Sequence, residues 1–340
     1  MRPDRREFLT MGIGALAVAA LPAALRARPP LVRRRIPVMG TLAEVALPSR
    51  NEGWAQRAIG AAFSELRRIE VAMSRFRTDS DVGRLNAGRL SASRLSTRTD
   101  EPEGWTPVSQ DTGFVLRRAI RWAEVSRGRF DPCLGRASAL WDAALQDEPP
   151  VARDFGRFAG SELWRTLEID LDGSTSRARL RSPVAAVDLG GIAKGFAVDV
   201  AAEALRAHGV VDGLVNVGGD LVALGSDVSG DPWRIGVRSP ESADALVSVL
   251  DVSDEAVATS GDYLRFFEHG GRRYHHLLDP STGAPRATST RSLTLRASCC
   301  TDADAAATAL FGAPESVAHS ILDHVGDDVR VLHHLQEVTT

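Results

Sequence analysis

The sequence predicts an α+β fold. Segments of β type follow one another in runs, and amphipathic helical segments stand between the runs instead of alternating with single strands. A chain of 340 residues, 44% hydrophobic and 25% charged, is long enough to bury a sizeable core. Its formal net charge of -3 lacks the basic excess of general nucleic-acid binders, so we expect no nucleic-acid partner.

Residues 1–27 have the layout of an export signal. Arg5 and Arg6 precede an apolar run over residues 11–24, and small residues follow. The arginine pair followed by Phe-Leu resembles a twin-arginine signal, although a Sec signal or an uncleaved anchor would share this layout. The run is shorter than the roughly 20 apolar residues that cross a bilayer, so no stable membrane span is expected. We therefore expect a protein exported to the periplasm or the extracytoplasmic side of the inner membrane.

Residues 28–34, which contain a proline pair and the start of an arginine run, are predicted as a linker. No later linker interrupts the chain, so residues 35–335 are predicted to form one catalytic unit, with one or two lobes. Apolar residues that recur at spacings of three and four predict the helices, and short β-branched runs predict the strands. The predicted helices span 54–69, 114–125, 193–208, 301–311 and 314–323. The predicted strands span 36–47 with a bend at Gly40, 167–171, 185–189, 213–224 with an interruption at its glycine pair, 233–237, 245–252, 293–297 and 329–332. Residues 77–107 and 143–160 are predicted as loops.

Residues 188–195 combine a strand end, a glycine pair and a helix start with Lys194 in its first turn. A helix N-terminus offers free N–H groups, and Lys194 adds a cation for a phosphate or an electron-rich ring. A tight turn with a solvated lysine explains the segment equally well. Residues 216–220 carry a second glycine pair, which indicates either a bulge or the close approach of a ligand.

Asp304 and Thr308 are four residues apart in a predicted helix and therefore share one face. A carboxylate and a hydroxyl are hard oxygen ligands, which suit Mg²⁺ better than zinc. The alternative is a helix start in which Thr301 or Asp302 is the N-cap.

His276 precedes Asp279 by three residues, beside a turn of sequence Asp-Pro-Ser-Thr-Gly, and the two could form an acid/base pair. The alternative for His275 and His276 is a strand with one ring directed inward and one outward.

These segments together, in this order, resemble the ApbE family of flavin transferases, which move FMN from FAD onto a protein threonine or serine. The resemblance extends through nearly all of the chain after the predicted signal. It is carried by residues 38–41, 73–77, 84–86, 128–132, 188–195, 216–220, 259–263, 275–283 and 303–311. It implies an ApbE-like arrangement of mixed sheets and helices, with FAD as substrate and Mg²⁺ as cofactor.

The resemblance also implies roles for single residues. The positions implied to hold FAD are Met39, Phe76, Arg129, Phe130, Asp131, Asp188, Lys194 and Leu278. The implied metal ligands are the Gly191 carbonyl and the side chains of Asp304 and Thr308, and the implied base is His276. Phe76 stands where relatives often carry tyrosine, and Cys299-Cys300 is an unexpected pair just before the metal helix.

The predicted function is Mg²⁺-dependent transfer of FMN from FAD to a Thr or Ser hydroxyl of an acceptor flavoprotein, with release of AMP. Two alternatives stay open. The chain could be an FAD pyrophosphatase that yields FMN and AMP, because water would then replace the acceptor hydroxyl at the same site. It could also be an FAD-binding protein without turnover.

Overall fold

The computed structural model describes residues 16–18, 28–91, 104–142, 148–172, 175–242, 244–263 and 265–336. The helices in this part of the chain are α1 (Glu52–Met73), α2 (Asp81–Ser91), α3 (Gln110–Val125), α4 (Gly135–Leu140), α5 (Ala152–Phe155), α6 (Ala193–Ala207), α7 (Cys300–Leu310) and α8 (Glu315–Val325). The strands are β1 (Leu16–Val18), β2 (Leu31–Val38), β3 (Thr41–Pro48), β4 (Thr106–Val108), β5 (Leu167–Asp172), β6 (Thr175–Leu180), β7 (Gly213–Val217), β8 (Asp220–Leu224), β9 (Trp233–Arg238), β10 (Leu246–Val252), β11 (Glu255–Gly261), β12 (Phe266–His269), β13 (Arg272–His275), β14 (Leu278–Asp279), β15 (Ala284–Pro285), β16 (Thr290–Ala297) and β17 (Val329–Gln336). The α+β prediction is confirmed.

A seven-stranded antiparallel sheet organises the chain, in the order β17-β16-β11-β8-β7-β3-β2. One face packs on α1, α6 and α7 and forms the main hydrophobic core. The opposite face packs on β9 and β10 through a smaller core centred on the buried Trp233. The sheet is therefore the middle of three layers, and α6 and α7 lie together on one side of it.

Smaller sheets complete the architecture. β4, β5 and β6 form an antiparallel sheet that packs against α3, while β12 pairs with β13 and β14 with β15. Of the predicted signal, the structure describes only Leu16–Val18, which pairs antiparallel with β9. The rest of residues 1–27, including Arg5 and Arg6, lies outside the described residues. Among the described helices, none is both long enough and apolar enough to span a bilayer.

Two predicted single strands are hairpins. Residues 36–47 are not one bent strand, because Met39 and Gly40, both at positive φ, reverse the chain between β2 and β3. Likewise, Gly218 and Gly219 form a turn between β7 and β8 and not a bulge. Successive positive φ values are typical of the tight turns that join antiparallel strands.

The N-terminal linker is shorter than predicted. Strand β2 begins at Leu31, inside residues 28–34, and pairs along its whole length with β3. It lies at the edge of the large sheet, where charged side chains are common because they discourage pairing with other chains. The arginine run is therefore an edge strand, in which Arg33 and Arg35 both contact Glu44 of β3.

Three other predictions of secondary structure were wrong. Residues 77–107 contain α2, whose Val82 and Leu85 are buried in the main core. Within 143–160, the described part contains α5 and a following 3₁₀ turn. Residues 185–189 form no regular strand, because only Ala186 makes a bridge, to Leu134.

Helix α7 is capped by another helix and not by its own first turn. Asp199 of α6 accepts hydrogen bonds from the backbone N–H groups of Cys300 and Thr301, each at 2.8 Å. It therefore satisfies two of the N–H groups that a helix N-terminus leaves unpaired. The hypothesis that Thr301 or Asp302 is the N-cap was wrong.

Asp302 instead forms a largely buried ion pair with α3. Its carboxylate accepts from Arg118 Nε at 2.7 Å and from Trp122 Nε1 at 2.8 Å. Burial alone would raise the pKa of Asp302, but hydrogen bonds from Arg118 and Trp122 outweigh it and hold the pKa below its ordinary value. Asp302 therefore fastens α7 to α3.

We expect Asp302→Ala to lower the free energy of unfolding by about 3 kcal/mol, because it leaves Arg118 and the Trp122 N–H without their partner. Asp323→Ala, which removes an exposed helical aspartate, is the control and should change it by less than about 0.5 kcal/mol. Urea unfolding of both variants at pH 7 measures the difference. Since Asp302 has a lowered pKa, its contribution should fade as the pH falls through that pKa. Equal stability of the two variants would contradict the ion-pair role.

Candidate functional site

The start of α6 and the second turn of α7 touch at Gly195. A Cβ at this position would lie 2.2 Å from the carbonyl oxygen of Cys300 and 2.9 Å from Cβ of Asp304. Only glycine therefore allows this approach. The Gly195 N–H donates to Oδ2 of Asp304 at 3.1 Å. The glycine-rich turn thus brings a helix N-terminus directly onto a buried carboxylate.

Lys194 joins two buried carboxylates. Its ammonium lies 3.1 Å from Oδ1 of Asp304 and also contacts Asp220 at the start of β8. Burial alone lowers the pKa of Lys194, but Asp220 and Asp304 together raise it above its ordinary value. Burial and the nearby Asp304 raise the pKa of Asp220, while Lys194 opposes that rise. Lys194 is therefore a structural cation at the site and not a solvated side chain.

The predicted metal ligands lie around this cluster. Thr308 Oγ1 is 3.4 Å from the Gly191 carbonyl oxygen, and Asp304 lies one helical turn before Thr308 on α7. A Cβ at Gly191 would lie 2.8 Å from Thr308 Oγ1, so this cradle requires a glycine. A carboxylate, a hydroxyl and a carbonyl are donors that suit Mg²⁺. Among the described residues, no group of three or more His, Cys, Asp or Glu could hold a metal.

The two neighbouring histidines have different environments. His275 is buried, where its Nε2 donates to the Arg286 carbonyl at 3.1 Å and its Nδ1 accepts from the Leu277 N–H at 3.2 Å. His276 is exposed, and its Nδ1 lies 3.3 Å from the Arg265 carbonyl. The structure therefore has one ring inward and one outward, with His276 open to a substrate.

His276 is suited to accept a proton through Nε2. A carbonyl can only accept, so the contact with Arg265 places the ring hydrogen on Nδ1 and leaves the Nε2 lone pair free. Desolvation of the ring by its neighbours, followed by the positive charge of Arg265, lowers the pKa of His276 below its ordinary value, although the residue as a whole is exposed. The positive charge of Lys194 lowers the pKa of His276 further. The ring is neutral at pH 7.

Two predicted FAD positions are joined by Arg75. The Phe76 ring is 65% exposed, and the Arg75 guanidinium carbon lies 4.1 Å from its centre. Arg75 Nε also lies 3.2 Å from Oδ2 of Asp188, whose Oδ1 accepts from the Gly190 N–H at 3.0 Å. The structure therefore presents an exposed aromatic face whose position is coupled to the glycine-rich turn.

Met39 lies in the β2–β3 turn. Its N–H donates to Oε1 of Glu70 on α1 at 2.7 Å. The next turn of the sheet is adjacent, since the Gly218 N–H donates to the Leu42 carbonyl at 3.1 Å. Asp220 follows that second turn. Met39 is thus connected through the two hairpin turns to the Lys194 cluster.

Arg129 and Leu278 support the C-terminal end of α7. Arg129 donates to the carbonyls of Ala309 and Phe311, at 3.1 and 3.2 Å. Buried Arg286 also reaches these two carbonyls, and it donates to the Leu278 carbonyl at 3.0 Å. Burial, followed by the charge of Arg129, lowers the pKa of Arg286 to about 9. The Arg129 side chain, predicted to hold FAD, is committed to α7.

Phe130 and Asp131 form the other wall of the Gly191 turn. Phe130 is buried, and a Cβ at Gly191 would lie 3.2 Å from its ring. Asp131 accepts from the N–H groups of Cys133 and Trp164 at 2.8 and 3.3 Å. Burial raises the pKa of Asp131 to about 6. Phe130 therefore packs against the Gly191 turn, while Asp131 holds the backbone at Cys133 and Trp164.

Four residues of the site were not singled out from the sequence: Arg75, Asp199, Asp220 and Arg286. Asp220 had a signal, because it follows the second glycine pair directly. Asp199 lies 101 residues from Cys300 and Arg75 lies 113 residues from Asp188, while Arg286 binds carbonyls that are between 8 and 157 residues away. No local pattern reveals such pairs.

We expect Arg75→Ala to weaken FAD binding about tenfold, because the Phe76 ring loses its stacked guanidinium and Asp188 loses its partner. Fluorescence titration of FAD against the purified variant measures this loss. Arg77→Ala is the matched control, because Arg77 is exposed and pairs only with exposed Asp79 among the contacts described. Arg75→Ala with wild-type affinity would show that this pair does not contribute to the FAD site.

Comparison with known proteins places this chain in a family. The ApbE family model matches residues 39–332. The FAD:protein FMN transferase of Treponema pallidum is 35% identical over 291 residues, covering 81% of this chain and 76% of that protein. The Haemophilus influenzae protein of the same name is 31% identical and covers 76% and 73%.

Solved structures agree with the sequence comparison. An ApbE protein of Thermotoga maritima superposes with a TM-score of 0.75 at 28% identity, covering 91% of this chain and 97% of that one. The apo flavinyl transferase ApbE of Pseudomonas stutzeri gives a TM-score of 0.70 at 28% identity, covering 88% and 89%. The central cluster, the two helices that meet there and the agreement over most of the chain lead to one conclusion: the chain belongs to the ApbE family.

Proposed function

We propose that this chain is an FAD:protein FMN transferase that moves FMN from FAD to a Thr or Ser hydroxyl of an acceptor flavoprotein and releases AMP. The relatives that bear this name match most of the chain. The observation that carries the proposal is the meeting of the Gly191 and Thr308 oxygens beside the Asp304 carboxylate, which Lys194 binds. An oxygen-rich cradle with an available base suits transfer between a pyrophosphate and a hydroxyl.

The proposed reaction is a displacement at phosphorus. The acceptor oxygen forms a bond to the FMN-side phosphorus of FAD, and the bond from that phosphorus to the bridging oxygen breaks. AMP leaves with the bridging oxygen and the electron pair. Nε2 of His276 takes the proton of the acceptor hydroxyl, a contribution that is typically about 10²- to 10⁴-fold in rate.

We propose that Asp304, Thr308 and the Gly191 carbonyl hold Mg²⁺. When bound, the ion would neutralise charge on the pyrophosphate and on the departing AMP. Lys194 and the Gly195 N–H orient the Asp304 carboxylate, while Asp220 keeps the lysine in place. Phe76 and Asp188 are proposed to contact FAD, with Arg75 positioning both.

The direct test is the intact mass of an acceptor. The mature protein is incubated with FAD, Mg²⁺ and a flavoprotein encoded beside it. The proposal expects the acceptor to gain the mass of FMN less one water, with one AMP released per FMN transferred. Free FMN and AMP with an unmodified acceptor would indicate the pyrophosphatase instead, and unchanged FAD would indicate a binding protein without turnover.

We expect Asp304→Ala to abolish transfer, because it removes the only anionic group among the proposed metal ligands. Asp304→Asn retains an acceptor for the Gly195 N–H, so it tests the loss of charge with less disturbance of the fold. This variant should need a much higher Mg²⁺ concentration for transfer.

His276→Ala should slow transfer about 10²- to 10⁴-fold at unchanged FAD affinity. Transfer rates against Mg²⁺ concentration, with thermal melts as a folding check, separate these effects. A fully active Asp304→Ala enzyme would contradict the proposed metal site.

We propose that the protein acts outside the cytoplasmic membrane, on the basis of its twin-arginine-like N-terminus. Replacing Arg5 and Arg6 by lysine should retain the precursor in the cytoplasm, whereas Arg2→Lys should not. Fractionation followed by immunoblotting measures both. Continued export of the double variant would contradict the twin-arginine route.

A further inference from the structure

A cavity lies on the outer face of α3, lined by arginines. Its volume is about 410 Å³. One side of the helix contributes four residues to the lining, at the spacing of successive turns: Phe114, Arg117, Arg118 and Arg121. Leu171 of β5 and Ser176 of β6 form the opposite wall. The α3 face and the β5–β6 sheet therefore enclose a cleft whose charged lining is cationic.

Two of the three arginines are free to bind a ligand. Arg117 and Arg121 are exposed, and neither has an ion-pair partner among the residues that the structure describes. Arg118 is the exception, because Asp302 holds it. A guanidinium fork matches the oxygens of a phosphate, so this lining favours a phosphorylated ligand.

The cleft also presents an aromatic ring. Phe114 is 50% exposed, which is unusual for a phenylalanine on a helix that packs its other face into the core. Its ring is supported from behind by Phe196, with centroids 5.6 Å apart. An exposed ring held in place beside unpaired guanidinium groups can stack on a planar ligand whose phosphate reaches the arginines.

The cleft is separate from the Lys194 cluster. Arg118, which lines the cleft, binds Asp302 of α7, whereas Lys194 of the cluster binds Asp304 of the same helix. Two helical positions differ by about 200° around the axis, so these two aspartates leave α7 on opposite sides. None of the described residues that line the cleft is among those proposed to hold FAD or the metal ion.

We propose that this cleft binds a small aromatic phosphomonoester. Its volume falls within the roughly 300–1,000 Å³ of small-molecule sites, which is too small for a folded partner. AMP and free FMN share the required chemistry, a planar ring with a terminal phosphate. The proposal of a ligand site rests on the geometry of the cleft alone. Only the idea that the enzyme's own reaction supplies the AMP rests on the proposed function.

Photo-crosslinking with 8-azido-AMP, followed by peptide mapping, tests the location. The label should attach within residues 110–121 of the full mature protein, and excess AMP should displace it. Repeating the displacement with FMN, adenosine and inorganic phosphate distinguishes the sources: AMP or FMN should compete at least tenfold better than adenosine or phosphate alone. Label confined to the peptides of the FAD site, near residues 188–195 and 300–310, would overturn the proposal.

Variants test the chemistry. Arg117→Glu combined with Arg121→Glu should reduce labelling of residues 110–121 at least tenfold, whereas Arg67→Glu on exposed α1 surface should change it less than twofold. Phe114→Leu keeps bulk but removes the ring, and should reduce labelling severalfold. FAD binding should be unaffected in all three. Equal labelling of the charge-reversed and control proteins would refute the cleft as a ligand site, even if FMN transfer itself were confirmed.

Discussion

One ammonium shared by two buried carboxylates fixes the geometry on which the site depends. Lys194 lies in the first turn of α6, Asp304 lies in α7, and Asp220 begins β8, so a single cluster joins the sheet to two of the helices that cover it. Two buried carboxylates would repel each other and would be costly to desolvate without the lysine. The glycine at position 195 then allows α6 to approach α7 closely enough for the backbone to bind Asp304 as well.

Other residues of the site hold α7 in position beside that cluster. Asp199 binds the first N–H groups of α7, Asp302 fastens its first turn to α3, and Arg286 with Arg129 binds its last carbonyls. Both ends of a short, alanine-rich helix are thus fixed by charged side chains from distant segments. The positions of Asp304 and Thr308 follow from this support.

The sequence could predict what is local. Apolar periodicity located α1, α3, α6, α7 and α8, and the spacing of Asp304 and Thr308 placed both on one helical face. It did not locate the hairpins, because a glycine in a run of β type looks the same in a bulge and in a turn. It could not show that Asp302 binds Arg118 and not its own helix, because that choice depends on tertiary packing.

The residues predicted to hold FAD also differ in their tertiary contacts, which the sequence does not show. Phe76 presents an exposed ring, while Asp188 pairs with Arg75 and also accepts a hydrogen bond from the Gly190 N–H. Arg129 and Asp131 carry polar side chains that the sequence suggests for binding, yet the structure uses them to hold backbone groups. Only the three-dimensional partners distinguish a residue that contacts a ligand from one that positions its surroundings.

The most direct test of the central cluster is anomalous diffraction from crystals of the mature protein grown with FAD and Mn²⁺, which replaces Mg²⁺ at oxygen sites. The account predicts one strong manganese peak bound by Asp304, Thr308 and the Gly191 carbonyl, with Lys194 still beside Asp220. A peak bound by other side chains, or Asp304 held by Lys194 alone while the ion lies elsewhere, would contradict it.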